Sequence, residues 1–215
     1  LIKMLEENDF IEMDYVARIR DDGIFDLTKE DVAKENKIYE KNYKYKPVII
    51  CLGKKDIING LDKQLIGKDI GEYKIEITPE EGFGKKDAKL IKLVPTKEFT
   101  KQNIRPMPGM QLNLDGFMGK ILSVTGGRTL VDFNNPLAGK NLVYEVEIKR
   151  KVTDKQEQLQ GFLNILFKDA KVEIKDDEAM IEIKDIDENM TKGLEKEILD
   201  RIKIKKVNFK INNQK

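Results

Sequence analysis

From Phe10 the chain alternates, with Ile11, Met13, Tyr15, Ala17 and Ile19 pointing one way and Glu12, Asp14, Arg18 and Arg20 mostly the other. A period of two is the signature of a half-buried strand, and Asp21-Asp22-Gly23 closes it in a turn. A second strand is predicted over Pro47–Leu52, with Lys46-Pro47 at its entry, where a missing amide donor does least harm. The charged stretch Lys29–Tyr45 between them has helical composition and reads as a surface bulge, with Tyr39, Tyr43 and Tyr45 assigned to surface packing. After Gly53, Ile58, Leu61 and Leu65 recur at helical spacing, which predicts a short helix within Asp56–Ile66 lying over a sheet. Alternation returns in Glu72–Thr78 and in Asn141–Lys149, the latter through Leu142, Tyr144, Val146 and Ile148. A mainly antiparallel sheet with one short helix accounts for all of these segments.

Two further patterns break this one. Between Lys85 and Phe133, Pro95, Pro106, Pro108 and the glycines at 109, 116, 119, 126 and 127 punctuate short strands, as in a small β-rich insertion that leaves the first domain and returns to it. Beyond Val152, Leu159, Phe162, Leu163 and Leu166 form a helical stripe. Alternation at Val172/Ile174 and Ile181/Ile183 follows, then a second stripe of Leu194, Ile198 and Ile202, then Val207/Phe209/Ile211, which gives α-β-β-α-β. The expected class is α+β in three parts: a discontinuous first domain (1–85 and 133–152), an insertion (86–132) and a C-terminal α/β extension (153–215). The polar tail Asn212–Lys215 reads as frayed.

Composition narrows the chemistry. With 40 Lys+Arg against 39 Asp+Glu the net charge is +1, which offers no electrostatic argument for nucleic acid or an anionic membrane. An RNA-binding role for the lysine-rich Lys205–Lys210 strand is disfavoured, because aromatic stacking residues are scarce and the net charge is near zero. The longest apolar run, Val48–Leu52, is far short of the ~20 residues that span a bilayer, and Leu1-Ile2-Lys3 opens nothing like a signal peptide, so a cytoplasmic protein is expected. The single cysteine, Cys51, sits inside that run and reads as core, without an internal disulfide. The absence of histidine excludes Ser-His-Asp and Cys-His catalysis and His-containing zinc sites together. None of the five Gly-Lys pairs has the flanking residues of a phosphate loop. Asp185, Asp187 and Asn189 open like a calcium loop, but Met190 replaces the turn glycine and Lys196 the bidentate Glu. No metal and no cofactor are expected.

Three stretches carry a family resemblance. Tyr15 is followed at ten residues by Phe25-Asp26, within Asp22-Gly23-Ile24-Phe25-Asp26. Pro47 leads through Leu52-Gly53-Lys54-Lys55-Asp56-Ile57-Ile58-Asn59-Gly60-Leu61 to Thr78-Pro79-Glu80-Glu81-Gly82-Phe83-Gly84. The third is Leu137-Ala138-Gly139-Lys140-Asn141-Leu142-Val143-Tyr144-Glu145-Val146-Glu147-Ile148. In this order they resemble the FKBP-type peptidyl-prolyl isomerases, and in arrangement the SlyD-like archaeal long form. Each apolar residue taken singly reads as core, and it is order and spacing that favour the family.

The resemblance implies an FKBP-like antiparallel sheet wrapped on a short helix, with a chaperone domain inserted in the flap at 86–132. It implies that Tyr15, Phe25, Val48, Ile57, Ile58, Leu61, Phe83 and Tyr144 line a proline pocket, with the Ile58 amide as a donor to substrate and Asp26 as the one charged group at its edge. Leu61 stands where many members have Trp. Phe83 stands where many have Tyr, a change that removes a substrate hydrogen bond of about 1 kcal/mol. In the insertion, Met107, Met110 and Met118 cluster with Leu112 and Phe117; flexible thioethers suit a surface accepting many sequences, and equally suit the core of a small domain. The implied partners are unfolded or nascent proline-containing polypeptides, and a second copy through the C-terminal domain. The alternative is a holdase whose isomerase pocket has lapsed, with Phe83 as its discriminating feature.

Overall fold

The computed structural model describes residues 4–114, 116–184 and 186–211. Asp185 and Asn212–Lys215, on which part of the calcium-loop reading and the frayed-tail reading fall, lie outside the described residues, as does Leu1-Ile2-Lys3.

Along the chain, β1 (Phe10–Ile19), β2 (Ile24–Leu27), α1 (Glu30–Glu35), β3 (Val48–Cys51), α2 (Asn59–Leu65) and β4 (Gly71–Ile77) come first. Then follow β5 (Ile91–Pro95), α3 (Thr96–Thr100), β6 (Gln111–Leu114), β7 (Phe117–Thr125) and β8 (Arg128–Asp132). The long strand β9 (Leu142–Val152) leads into α4 (Lys155–Leu166), β10 (Lys171–Lys175), β11 (Glu178–Ile183), α5 (Glu188–Ile202) and β12 (Lys206–Ile211). Two compact units result: one contains everything up to Ile77 and from Leu142 onward, the other is Thr78–Asn141.

The first unit is built on an antiparallel sheet of order β2-β1-β9-β4, with β3 paired to the first half of β1. On one face Ile11, Met13, Ala17, Ile50, Ile75, Leu142, Tyr144, Val146 and Ile148 are buried, and α2 brings Leu61 and Leu65 to the interior against β4. The strand β1 is not half-buried as its alternation predicts. Phe10, Asp14 and Val16, on its other face, are buried as well. The reason is that two further elements cover that face: α1, whose Ala33 packs with Val16 and Leu27, and the C-terminal segment.

That segment folds as the α-β-β-α-β pattern predicts. Its sheet has order β10-β11-β12, antiparallel then parallel, the parallel pair being joined by the crossover helix α5. Both helices start on a side-chain cap, Asp154 accepting the Glu157 amide and Asp187 the Met190 amide. Asp187 therefore serves as a helix cap. The helical stripes Leu159/Phe162/Leu163 and Leu194/Ile198/Ile202 join Phe10, Cys51 and Val152 of the larger sheet in one hydrophobic cluster.

The second unit has a four-stranded antiparallel sheet of order β5-β8-β7-β6. Phe99 of α3, Ile121 and Val131 form its buried core. A Cβ at Gly119 would lie 2.7 Å from the Val131 side chain, so only glycine lets β7 and β8 approach at that point. The amide of Gly139 donates to the Gly84 carbonyl at 2.7 Å, joining the two ends of the unit.

Candidate functional site

Tyr15 projects from the middle of β1, and the local network around it fixes both strands of the first hairpin. The Tyr15 amide donates to Thr28 Oγ1 at 2.9 Å, and the Thr28 hydroxyl donates to the buried Asp14 carboxylate at 2.6 Å. Thr28 also returns its own amide to the Tyr15 carbonyl at 3.0 Å. The end of β2 is thereby tied to β1, with a register shift between Ala17 and Arg18. Across this hairpin the Tyr15 hydroxyl donates to Asp26 Oδ2 at 2.7 Å. The Tyr144 ring lies 5.9 Å from that of Tyr15, and Phe25 meets Tyr144 edge-on at 6.1 Å. Tyr15, Phe25, Asp26 and Tyr144 thus form one aromatic cluster around a carboxylate.

Burial, then the neighbouring Asp26 charge, pushes the Tyr15 and Tyr144 phenols far above the ordinary range. They stay neutral donors at any physiological pH. No nucleophile or proton shuttle is assembled here, and among the described residues no cluster of three or more acidic or thiol groups is placed to hold a metal ion.

The segment before α2 is held just as firmly. Asp62, buried in the first turn, accepts the Gly53 and Lys55 amides at 2.9 and 3.1 Å. Asp56 accepts the Cys51 amide at 2.8 Å. These two carboxylates brace a loop in which Gly53 and Lys55 adopt positive φ. The loop delivers half-buried Ile57 and Ile58 to the head of α2, where the Ile58 carbonyl receives the Leu61 and Asp62 amides at 3.0 Å. Leu61 is buried in the interior. Tyr15, Val48 and Ile57 share a groove of about 330 Å³.

Sequence reasoning missed Tyr43. Its hydroxyl donates to Asp26 Oδ1 at 3.2 Å, opposite Tyr15, and its phenol is pushed up to about 12 by burial and by Asp26. Its ring packs 4.7 Å from Tyr45, which stacks on Tyr39 at 5.5 Å. Tyr43 is 44% exposed and packs at the surface as assigned, and its bond to Asp26 is what that assignment did not contain. The residue lies in an aperiodic stretch with no spacing to read. Three residues of α4, Gly161, Asn164 and Ile165, also line the groove beside Val48, and nothing in their helical pattern singles them out.

Phe83 is half-buried and belongs to the second unit, in a turn where the Gly84 amide donates to the Pro79 carbonyl at 2.7 Å. In that unit Met110 and Leu112 are half-buried and pack against the Phe99 core, whereas Met107, Met118 and Phe117 are exposed, Phe117 by 70%. A groove of about 520 Å³ there is lined by Leu90, Phe99, Leu114, Phe117 and Phe133 among others. Two of its aromatics, Phe99 and Phe133, were not singled out as binding residues in the sequence reading, because nothing in their spacing separates them from ordinary core.

The class that the fold and this geometry define is an α+β protein whose antiparallel sheet carries an aromatic cluster around one carboxylate. Comparison with known proteins gives that class its family. The family described as "FKBP26, IF domain" matches residues 92–137. The short-type peptidyl-prolyl cis-trans isomerase of Methanocaldococcus jannaschii is 34% identical over 150 residues, which is 69% of this chain and 95% of that protein. The FKBP-type isomerase SlyD of Helicobacter pylori is 27% identical over 136 residues, 60% of this chain and 66% of its own length. The FKBP-type 16 kDa isomerase of Escherichia coli is 29% identical over 108 residues, 48% of this chain and 72% of the relative. The chain belongs to the FKBP-type peptidyl-prolyl cis-trans isomerases.

Proposed function

We propose that this protein catalyses rotation about Xaa-Pro bonds in unfolded or nascent polypeptides and holds such chains as a chaperone. In this reading residues 1–85 and 133–152 are the isomerase domain, 86–132 the insert-in-flap chaperone domain and 153–215 a C-terminal extension that pairs two copies. The single observation that carries the isomerase reading is the convergence of Tyr15, Phe25 and Tyr144 around Asp26.

The chemistry asked of such a site is modest. An Xaa-Pro bond turns slowly because its partial double bond must be broken, at a barrier of ~18–20 kcal/mol, so uncatalysed times run to tens or hundreds of seconds. A catalyst need only bind the twisted imide better than the planar one. The planar form carries more charge separation and loses more on leaving water, so apolar walls favour the twisted form. The aromatic rings supply those walls, Val48 and Ile57 share a groove with Tyr15, and the resemblance adds Ile58 and Leu61 to the pocket. Asp26, held between two phenols, presents a fixed negative field at the rim.

The exposed Met107, Met118 and Phe117, with the half-buried Met110 and Leu112 behind them, suit weak capture of varied apolar sequences. Capture raises the effective concentration of client at the prolyl site. The rival reading, a holdase with a lapsed isomerase pocket, is favoured by one feature, the missing hydroxyl at Phe83.

A protease-free refolding assay limited by prolyl isomerisation separates the two. Asp26→Ala and Tyr15→Ala should each lower kcat/KM roughly tenfold, the effect of about 1.4 kcal/mol at the transition state, and leave binding of an unfolded proline-free client unchanged. Deleting Lys86–Asp132 should weaken long clients and spare short peptides. A wild-type chain that holds clients yet turns over no proline substrate would establish the holdase instead.

A further inference from the structure

We propose that the C-terminal helix α4 forms a wall of the substrate cleft, Asn164 and Ile165 lining a subsite for an apolar side chain next to the client's proline. This deepens the isomerase reading and rests on it. The subsite is the groove of about 330 Å³ in which Tyr15, Val48 and Ile57 meet Asn164 and Ile165. Tyr15 is common to both features, since its hydroxyl holds Asp26 in the aromatic cluster. A client residue flanking the proline therefore reaches the groove without leaving Tyr15.

Two features hold the groove ready. At Gly161 a Cβ would lie 2.5 Å from Ile49 Cβ, so only a bare Cα lets α4 lie this near the edge strand β3. From α5, Arg201 reaches Asp56 Oδ1 at 2.6 Å, with side chains 8% and 5% exposed, and stacks over the ring of Phe162 in α4 at 4.3 Å. Asp56 immediately precedes Ile57, so the loop on one side of the groove and the helix on the other are fastened to the same guanidinium. The lining chemistry selects the occupant. Pro47, Val48, Ile57 and Ile165 are apolar, and besides Tyr15 the side chains with polar groups among the residues that line it are Lys46, Asp56 and Asn164. Ile165 is 42% exposed on a helix whose other face is buried, so it is available to a ligand.

The test uses the full chain and proline peptides in which the residue before, and separately the residue after, the proline is Ala, Leu or Phe. The wild type should prefer Leu or Phe over Ala by about tenfold in kcat/KM in one of the two series. Ile165→Ser should reduce that preference to about twofold or less, with the loss of rate falling mainly on the Leu and Phe peptides, and circular dichroism should be unchanged. Equal loss on every peptide, or an unaltered preference, would overturn the subsite. Should the wild type turn over no peptide at all, the isomerase reading fails, and the subsite is judged by binding alone. Titration with the Leu-containing peptide should then move the Ile165 methyl resonances, and their constancy while other resonances move would sink it.

Discussion

At the scale of single residues, Asp26 is defined by what surrounds it: a phenol hydroxyl on each carboxylate oxygen, from Tyr15 and Tyr43. This arrangement has a pH signature. Burial and the Asp26 charge raise the folded-state ionisation of Tyr15, Tyr43 and Tyr144 above the ordinary tyrosine value of about 10, Tyr43 to about 12. The folded chain then binds these protons more tightly than the unfolded chain. Their stabilisation is complete below about pH 10 and is lost as pH rises from there through the folded-state values. Urea unfolding at pH 8, 10 and 11 should show stability falling above pH 10, with a shallower fall in Tyr43→Phe; identical slopes in the two proteins would refute the assignment. Tyr15, Phe25, Asp26 and Tyr144 were legible only through the family resemblance, which ties each of them to a motif on a strand or its turn. Tyr43 was not, because its place is set by a coil that folds back over the hairpin, and no local periodicity encodes such a return.

Among elements, the docking of the C-terminal helices on β3 depends on one small residue and one charge. Gly161→Ala would set a methyl 2.5 Å from Ile49 Cβ, in a spot where backbone and a β-branched side chain leave little room to yield. Overpacking of this kind costs ~1–3 kcal/mol, and chemical denaturation should find that loss. Arg201→Ala should cost more, ~3–5 kcal/mol, because Asp56 would remain buried without its countercharge, although the Cys51 amide still bonds it. Arg201→Met tests whether the charge or the packing matters: a stability close to wild type would show that the ion pair is dispensable. The helices themselves were readable from their stripes of Leu, Ile and Phe. Their docking partner was not, since a stripe announces that a face is buried and says nothing of what buries it. The same gap explains β1, whose alternation predicted one covered face where the fold covers two.

For the molecule as a whole, the decisive fact is that the hydrophobic cluster of the C-terminal segment also contains Phe10, Cys51 and Val152 of the larger sheet. The net charge of +1 and the many exposed ion pairs contribute little to holding these parts together, because surface pairs are each worth about 0–1 kcal/mol. Apolar burial must do so, and Cys51 reports on it. Burial, and next the Asp56 carboxylate, push its thiol up to about 12, so at neutral pH it is both covered and protonated. In the intact chain a thiol reagent should label Cys51 only as fast as the protein unfolds. A chain ending at Val152 loses α4 and with it the cover over Cys51, Phe10 and Ile49. Labelling should then proceed within minutes, and dye binding should reveal newly exposed apolar surface. A truncated chain that stays monomeric, binds no dye and keeps its thiol as slow as before would mean that the larger sheet closes over this face unaided, and that the C-terminal segment is an appendage and not part of the same core.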